Sequence, residues 1–171
     1  NTYVINLKRS TDRWLHIHKH LSDLGIVHQR VDAIDGQLHN LNNSGYDVVR
    51  NKNEYFAPLK NTEIACHLSH IKALKQFLND PSVEYALILE DDVELLEGLE
   101  SLMPLCHWLG CNEGGVLKLY SKRNIFGTTL GYVSNTDIIK PWRITLGFQA
   151  HLWNRLAAQE FINKNVSFYQ P

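Results

Sequence analysis

The chain has 171 residues, 44% of them hydrophobic and 20% charged, enough apolar material for one compact domain with a sizeable core. Seventeen Lys and Arg against eighteen Asp and Glu leave a formal charge of −1, so no basic excess favours nucleic acid as a partner. No run reaches the apolar length of a membrane span, and the three cysteines, Cys66, Cys106 and Cys111, form no Cys-x-x-Cys pair, so free thiols in the reducing cytoplasm are expected.

Tyr3-Val4-Ile5-Asn6-Leu7 reads as a first strand, followed by Ser10-Thr11-Asp12, a group able to cap a helix. Trp14, Ile17, Leu21 and Leu24 recur at helical spacing up to Gly25, a residue suited to ending a helix. A short strand over 27–31 completes a βαβ unit. Ligands of such units gather at the carboxyl ends of the strands, the edge where Asn6, Lys8, Arg9, Asp12 and Arg13 fall. Residues 35–61, rich in Asn and Gly and without sustained periodicity, are expected to form a long loop or a mobile flap over a site. Asn61-Thr62-Glu63 then opens the clearest helix, with Ile64, Leu68, Ile71, Leu74 and Leu78 as its apolar stripe and Phe77 at the margin. Its spacing predicts that Glu63, Cys66, His67 and His70 share one face and that Ser69 turns away from it.

Residues 85–93, Tyr-Ala-Leu-Ile-Leu-Glu-Asp-Asp-Val, read as a buried strand that discharges into three carboxylates. Glu90, Asp91 and Asp92 would repel one another at the mouth of a sheet unless water, a basic partner or a metal absorbed their charge. A hard cation with oxygen ligands, Mg²⁺ or Mn²⁺, suits them better than zinc and points to phosphate-bearing substrates. The competing reading is that Asp91 or Asp92 caps the next helix, or that the acids are solvated in a loop. Beyond them, 95–109 reads as a helix and 116–120 as a buried strand, with Gly114-Gly115 as the turn. Residues 121–129 read as a polar loop, 131–134 and 144–153 as strands, and 155–162 as a last helix. Strands alternating with helices predict a single α/β domain over 1–171, a sandwich with a mainly parallel sheet.

With those pieces in order, the chain resembles glycosyltransferase family 25, which includes lipooligosaccharide galactosyltransferases and collagen galactosyltransferases. The resemblance rests on three ordered blocks: 4–13 (Val-Ile-Asn-Leu-Lys-Arg-Ser-Thr-Asp-Arg), 62–70 (Thr-Glu-Ile-Ala-Cys-His-Leu-Ser-His) and 87–93 (Leu-Ile-Leu-Glu-Asp-Asp-Val). It implies a GT-A-type α/β/α sandwich and an inverting, metal-dependent transfer of a hexose, galactose above all, from a UDP-sugar to a lipooligosaccharide or lipopolysaccharide glycan. Mn²⁺ or Mg²⁺ would neutralise charge on the leaving diphosphate, and a general base would take the acceptor proton. Carried onto this sequence, the resemblance makes Asp92 the direct metal ligand, with Glu90 and Asp91 reaching the ribose, the sugar or metal-bound water. Asn6, Arg9 and Arg13 would bind the nucleotide, Arg13 alternatively pairing with Asp12 or Asp35, while Ser69 and His70 belong to the site through the helical block.

Residues 147–152, Gly-Phe-Gln-Ala-His-Leu, look like a diverged Gly-Thr-x-Ala-Tyr block of that family, making His151 a candidate metal ligand or else a partly buried strand histidine. Asp137 is a candidate base because it lies in a polar segment between the late strands. Members of the family continue past Tyr169-Gln170-Pro171 with an acceptor-side region, so a domain short at its C-terminus is expected, as is a cytoplasmic location, with peripheral association at the inner face of the inner membrane as the alternative. Three other readings stand beside this one. They are a non-catalytic sugar-nucleotide or glycan binding relative, a zinc protein using Cys66, His67, His70, Cys106, His107 and Cys111, and a phosphohydrolase, which lacks its usual Asp-x-Asp-x-Thr pattern.

Overall fold

The computed structural model describes the chain apart from residues 39, 40, 42, 43, 55, 56, 97, 98, 112–114, 122, 123, 135, 144–146 and 171. Its opening is β1 (Thr2–Asn6), α1 (Thr11–Asp23) and β2 (His28–Asp32), then α2 (Val48–Glu54), α3 (Asn61–Leu78) and β3 (Tyr85–Glu90). There follow α4 (Leu99–Gly110), β4 (Val116–Lys118), β5 (Gly127–Val133), β6 (Thr136–Pro141), β7 (Ala150–Asn154) and α5 (Arg155–Lys164). The central sheet has the order β2-β1-β3-β7-β4. β1 pairs parallel with β2 and β3, while β7 runs antiparallel to both β3 and β4. The sheet is thus mainly parallel, with β7 reversed, and the α/β class read from the sequence holds.

Strand alternation sorts the core into two layers. Tyr3 and Ile5 of β1, Ala86 and Ile88 of β3 and Trp153 of β7 pack with Ala73, Leu74 and Phe77 of α3 and Ala157 and Ala158 of α5. Val4, Leu87, Leu89 and Leu152 pack on the opposite face with Ile17 and Leu21 of α1 and Leu109 of α4. Helices therefore cover both faces, as a largely parallel sheet requires. Phe77, expected at the margin of its stripe, is fully buried and central.

Local chemistry accounts for the element ends. α1 stops in a Schellman arrangement, with the Gly25 N–H donating to Ser22 O and the Ile26 N–H to Leu21 O. At the start of α3 the Lys60 N–H donates to the Glu63 carboxylate, so Glu63 serves the helix terminus. The Asn154 side chain accepts from Ala157 N at 2.8 Å and caps α5.

Several expectations need correction. The stretch 35–61 contains α2, capped by Asp47, whose carboxylate accepts from Arg50 N; its buried residue is Asn51, a polar side chain donating to Ala57 O and Tyr169 O. α4 begins later than read, at Leu99. β4 is a short edge strand, with Val116 exposed. The expected loop and single strand over 121–134 are in large part β5, which pairs with the unforeseen β6 as a separate two-stranded sheet. Of the run 144–153, only 150–153 belongs to a strand among the described residues. No helix among the described residues is long and apolar enough to cross a membrane.

Candidate active site

α1 and α3 lie on opposite faces of the sheet, so the chain leaves β1 towards β2 on one side and returns to β3 on the other. The carboxyl ends of β1 and β3 therefore flank a topological switch point, where α/β sheets leave a crevice for ligands. A cleft opens there. Its wall includes Arg9 and Arg13 after β1, Asp35 and Gly36 after β2, Thr62, Cys66, Ser69 and His70 on α3, and Glu90 and Asp91 at the end of β3.

Alternation along β3 sends the acids in different directions. Glu90 follows Ile88 onto the α3 side, where the His70 Nε2 lies 3.0 Å from its Oε1 and the Cys66 thiol donates to the same oxygen at 3.6 Å. With a carboxylate as partner, Nε2 carries the ring proton. Asp91 turns to the α1 side and is buried. It accepts from Asn6 Nδ2 at 2.6 Å and from Arg13 Nη1 at 3.1 Å. Asp92, next in line, is exposed and makes no hydrogen bond or ion pair among the described residues. The Leu95 N–H donates to His20 Nε2, which fixes the far side of this turn to α1. Neither Asp91 nor Asp92 caps a helix, because α4 starts only at Leu99.

Six of the residues predicted from the sequence thus meet at the cleft: Arg9, Arg13, Ser69, His70, Glu90 and Asp91. Their partners differ from those expected. Arg13 pairs with Asp91 rather than with Asp12 or Asp35, and Arg9 pairs with Asp35. Ser69 does not turn away. It is 1% exposed, accepts from Ile34 N and donates to Ala65 O, tying α3 to the segment after β2. The α3 surface facing the cleft is 62, 65, 66, 69 and 70, whereas His67 stacks on Phe168 with ring centroids 4.2 Å apart. Asn6 is 1% exposed and lies beneath the cleft, holding Asp91 and Ser10 O.

Asp137 and His151 are not on the cleft wall. Asp137 is exposed on β6, paired in register with Tyr132. His151 is 1% exposed, packed against Phe148 and Trp153 with its ring 5.8 Å from that of His70. Residues the sequence reading did not assign to the site are Asp35, Gly36, Thr62 and Cys66. The Asp35-Gly36 dipeptide is a turn signal that could have located the first two. The Gln37 N–H donates to the Asp35 carboxylate, and a Cβ on Gly36 would stand 2.5 Å from Asn61 O, so only glycine lets this loop approach the start of α3.

Desolvation is the largest cause of the shifts at Cys66, an exposed residue on the wall, and at His151 and His67 away from it. Desolvation, then Glu90 and Asp92, push the Cys66 thiol up to about 12. Desolvation, then His70 and Lys118, push the His151 imidazole down to about 3, from an ordinary value of 6.5. The unfolded chain therefore binds a proton between those values that the native protein refuses. Stability is complete above about pH 6.5 and falls as the pH drops towards 3, by at most about 1.4 kcal/mol per unit from this group. His67, pushed down to about 4 by burial and His70, steepens the same limb. Urea unfolding at stepped pH is expected to give His151→Phe a flatter acid limb than the parent; identical limbs would contradict a neutral, dry His151.

The cleft wall carries the carboxylates of Asp35, Glu90 and Asp91 against the guanidinium groups of Arg9 and Arg13; Asp92, the next residue along the chain, is exposed and is not itself part of the wall. A phosphate-bearing ligand entering this field needs an accompanying cation. The carboxylate of Asp92, exposed and unpaired among the described residues, is a hard oxygen donor suited to one. None of the curated proteins compared matches the chain. The family model for glycosyltransferase family 25, lipopolysaccharide (LPS) biosynthesis proteins, matches residues 1–137, a span that holds the β1, α3 and β3 blocks and every residue named on the cleft wall. The chain therefore belongs to glycosyltransferase family 25.

Proposed function

We propose that the cleft between β1 and β3 is the donor site of a metal-dependent hexosyltransferase of GT-A form, taking galactose from UDP-galactose to an LPS or lipooligosaccharide glycan with inversion. The observation that carries this reading is the acidic turn at the switch point, where one carboxylate is locked into the fold and its neighbour is left to solvent. Asp91, held by Asn6 and Arg13, fixes the turn, and Asp92 projects from it as the ligand for Mn²⁺ or Mg²⁺. Bound there, the cation would neutralise charge on the leaving diphosphate.

The remaining residues act by binding and orientation. The Arg9 side chain is 49% exposed, so its guanidinium can reach a phosphate oxygen from the position it holds beside the buried carboxylate of Asp35. Glu90 accepts from donor hydroxyls while His70, 2% exposed, holds its carboxylate in place; His70 is thus a positioning residue. Asp137, outside the cleft wall, has no part in this account. A glycolipid acceptor places the work at a membrane surface, reached peripherally. Calorimetry with UDP is expected to detect binding with Mn²⁺ present and little without it; equal binding in both conditions, or none, would overturn the donor-site assignment.

A further inference from the structure

The geometry points to a second metal position on the cleft wall, built from Cys66 Sγ, His70 Nε2 and Glu90 Oε1, that takes a borderline cation of the zinc class and leaves one coordination place open to the cleft. The three ligand atoms lie within 4.8 Å of one another. Zinc bonds of about 2.0–2.1 Å to nitrogen or oxygen and about 2.3 Å to sulfur set tetrahedral ligand atoms roughly 3.3–3.7 Å apart. Two of the three pairs, 3.0 Å for His70 to Glu90 and 3.6 Å for Cys66 to Glu90, stand close to that spacing, and the third, Cys66 to His70, lies within the 4.8 Å bound.

The elements enforce the convergence. Cys66 and His70 are one turn apart on α3 and project together, while the alternation of β3 delivers Glu90 to the same face. Within this cluster the Cys66 thiol, 3.6 Å from the carboxylate, contributes only a weak hydrogen bond. A second observation lies behind it. His151 is 1% exposed and neither of its ring nitrogens has a partner among the described residues, so this face carries more nitrogen donor capacity than the fold consumes. All three ligands line the cleft, so the open place would accept water or an anionic oxygen of a bound substrate.

The donor set differs in kind from Asp92. Sulfur and imidazole select zinc-class ions, whereas a lone carboxylate among waters and phosphates suits Mn²⁺ or Mg²⁺. The site is also not the zinc arrangement that cysteine spacing suggests. His67 is stacked on Phe168, and Cys106, His107 and Cys111 belong to α4, so only Cys66 and His70 of that set take part.

The test uses the whole chain with Cys106→Ser and Cys111→Ser, leaving Cys66 as its single thiol, and titrates Co²⁺ as the probe. One equivalent is expected to bind with tetrahedral visible bands and a thiolate-to-cobalt charge-transfer band, both lost when Zn²⁺ is added. Cys66→Ser in the same background is expected to abolish the charge-transfer band and weaken uptake at least tenfold; because Cys66 is exposed, circular dichroism should report an unchanged fold. Asp92→Ala is expected to keep cobalt uptake while losing Mn²⁺-dependent UDP binding, so the two metal assignments fail separately. No stoichiometric uptake, or uptake that survives Cys66→Ser and falls with Asp92→Ala, would overturn the site.

Discussion

Replacing Asp91 by alanine is expected to lower the unfolding free energy by about 2–4 kcal/mol, read as a shift of the urea midpoint at constant slope. The carboxylate is 9% exposed and accepts two hydrogen bonds from different parts of the chain. Removing it leaves one N–H of the buried Asn6 amide without its acceptor, the other staying on Ser10 O and the Oδ1 already lacking a partner among the described residues, and frees Arg13 from the end of β3. The Asn6 contribution dominates, because Arg13 is 61% exposed and water can replace its partner. Asp91→Asn keeps the shape and loses the charge, so it should cost about half as much. A loss below about 1 kcal/mol for the alanine variant would mean that the acidic turn is held by something other than this pair of contacts.

Asp92→Ala, one residue away, should behave in the opposite manner. Its carboxylate is exposed and, among the described residues, unpaired, so stability should stay within about 0.5 kcal/mol of the parent. Hexose transfer should fall by about 10²–10³-fold in kcat/KM, the usual scale for removing one electrostatic stabiliser of a developing charge. The combination matters more than either number. Lost transfer with an unchanged thermal midpoint marks a residue that acts on the substrate, whereas a parallel loss of both would move Asp92 into the structural class of Asp91.

The β1, α1, α3 and β3 segments are legible in the sequence because their hydrophobic patterns are complete and their ends are marked. α2 is not legible, since the side chain it buries is Asn51, and a buried polar residue breaks the apolar periodicity that betrays a helix. The β5–β6 pairing hides behind a register shift between Thr129 and Gly131, which interrupts the alternation a strand should display. The run ending in β7 looks continuous in sequence, but Gly147 has φ +94°, a left-handed turn that separates it from the strand.

The site divides in the same way. That Glu90 and Asp91 face opposite layers follows from strand alternation alone, so Glu90 meeting α3 and Asp91 meeting α1 was readable in principle. The pairing of Arg9 with Asp35 was not, because it depends on the path of the chain after β2, where no repeating pattern constrains the backbone. His151 carries the same lesson in reverse. Its type suggested either a ligand or a partly buried strand histidine, and β7 places it in the aromatic cluster with Phe148 and Trp153.

The central claim, that this cleft holds the donor of a sugar transfer, is tested most directly by incubating the whole chain with UDP-galactose, Mn²⁺ and a lipooligosaccharide acceptor and following UDP and acceptor mass together. Free UDP is expected to appear in step with acceptor one hexose heavier, to vanish when Mn²⁺ is chelated, and to be suppressed by Asp92→Ala. Binding of UDP without release from any UDP-sugar offered, in the presence of acceptor, would contradict the account and leave a protein that holds a sugar nucleotide without transferring it.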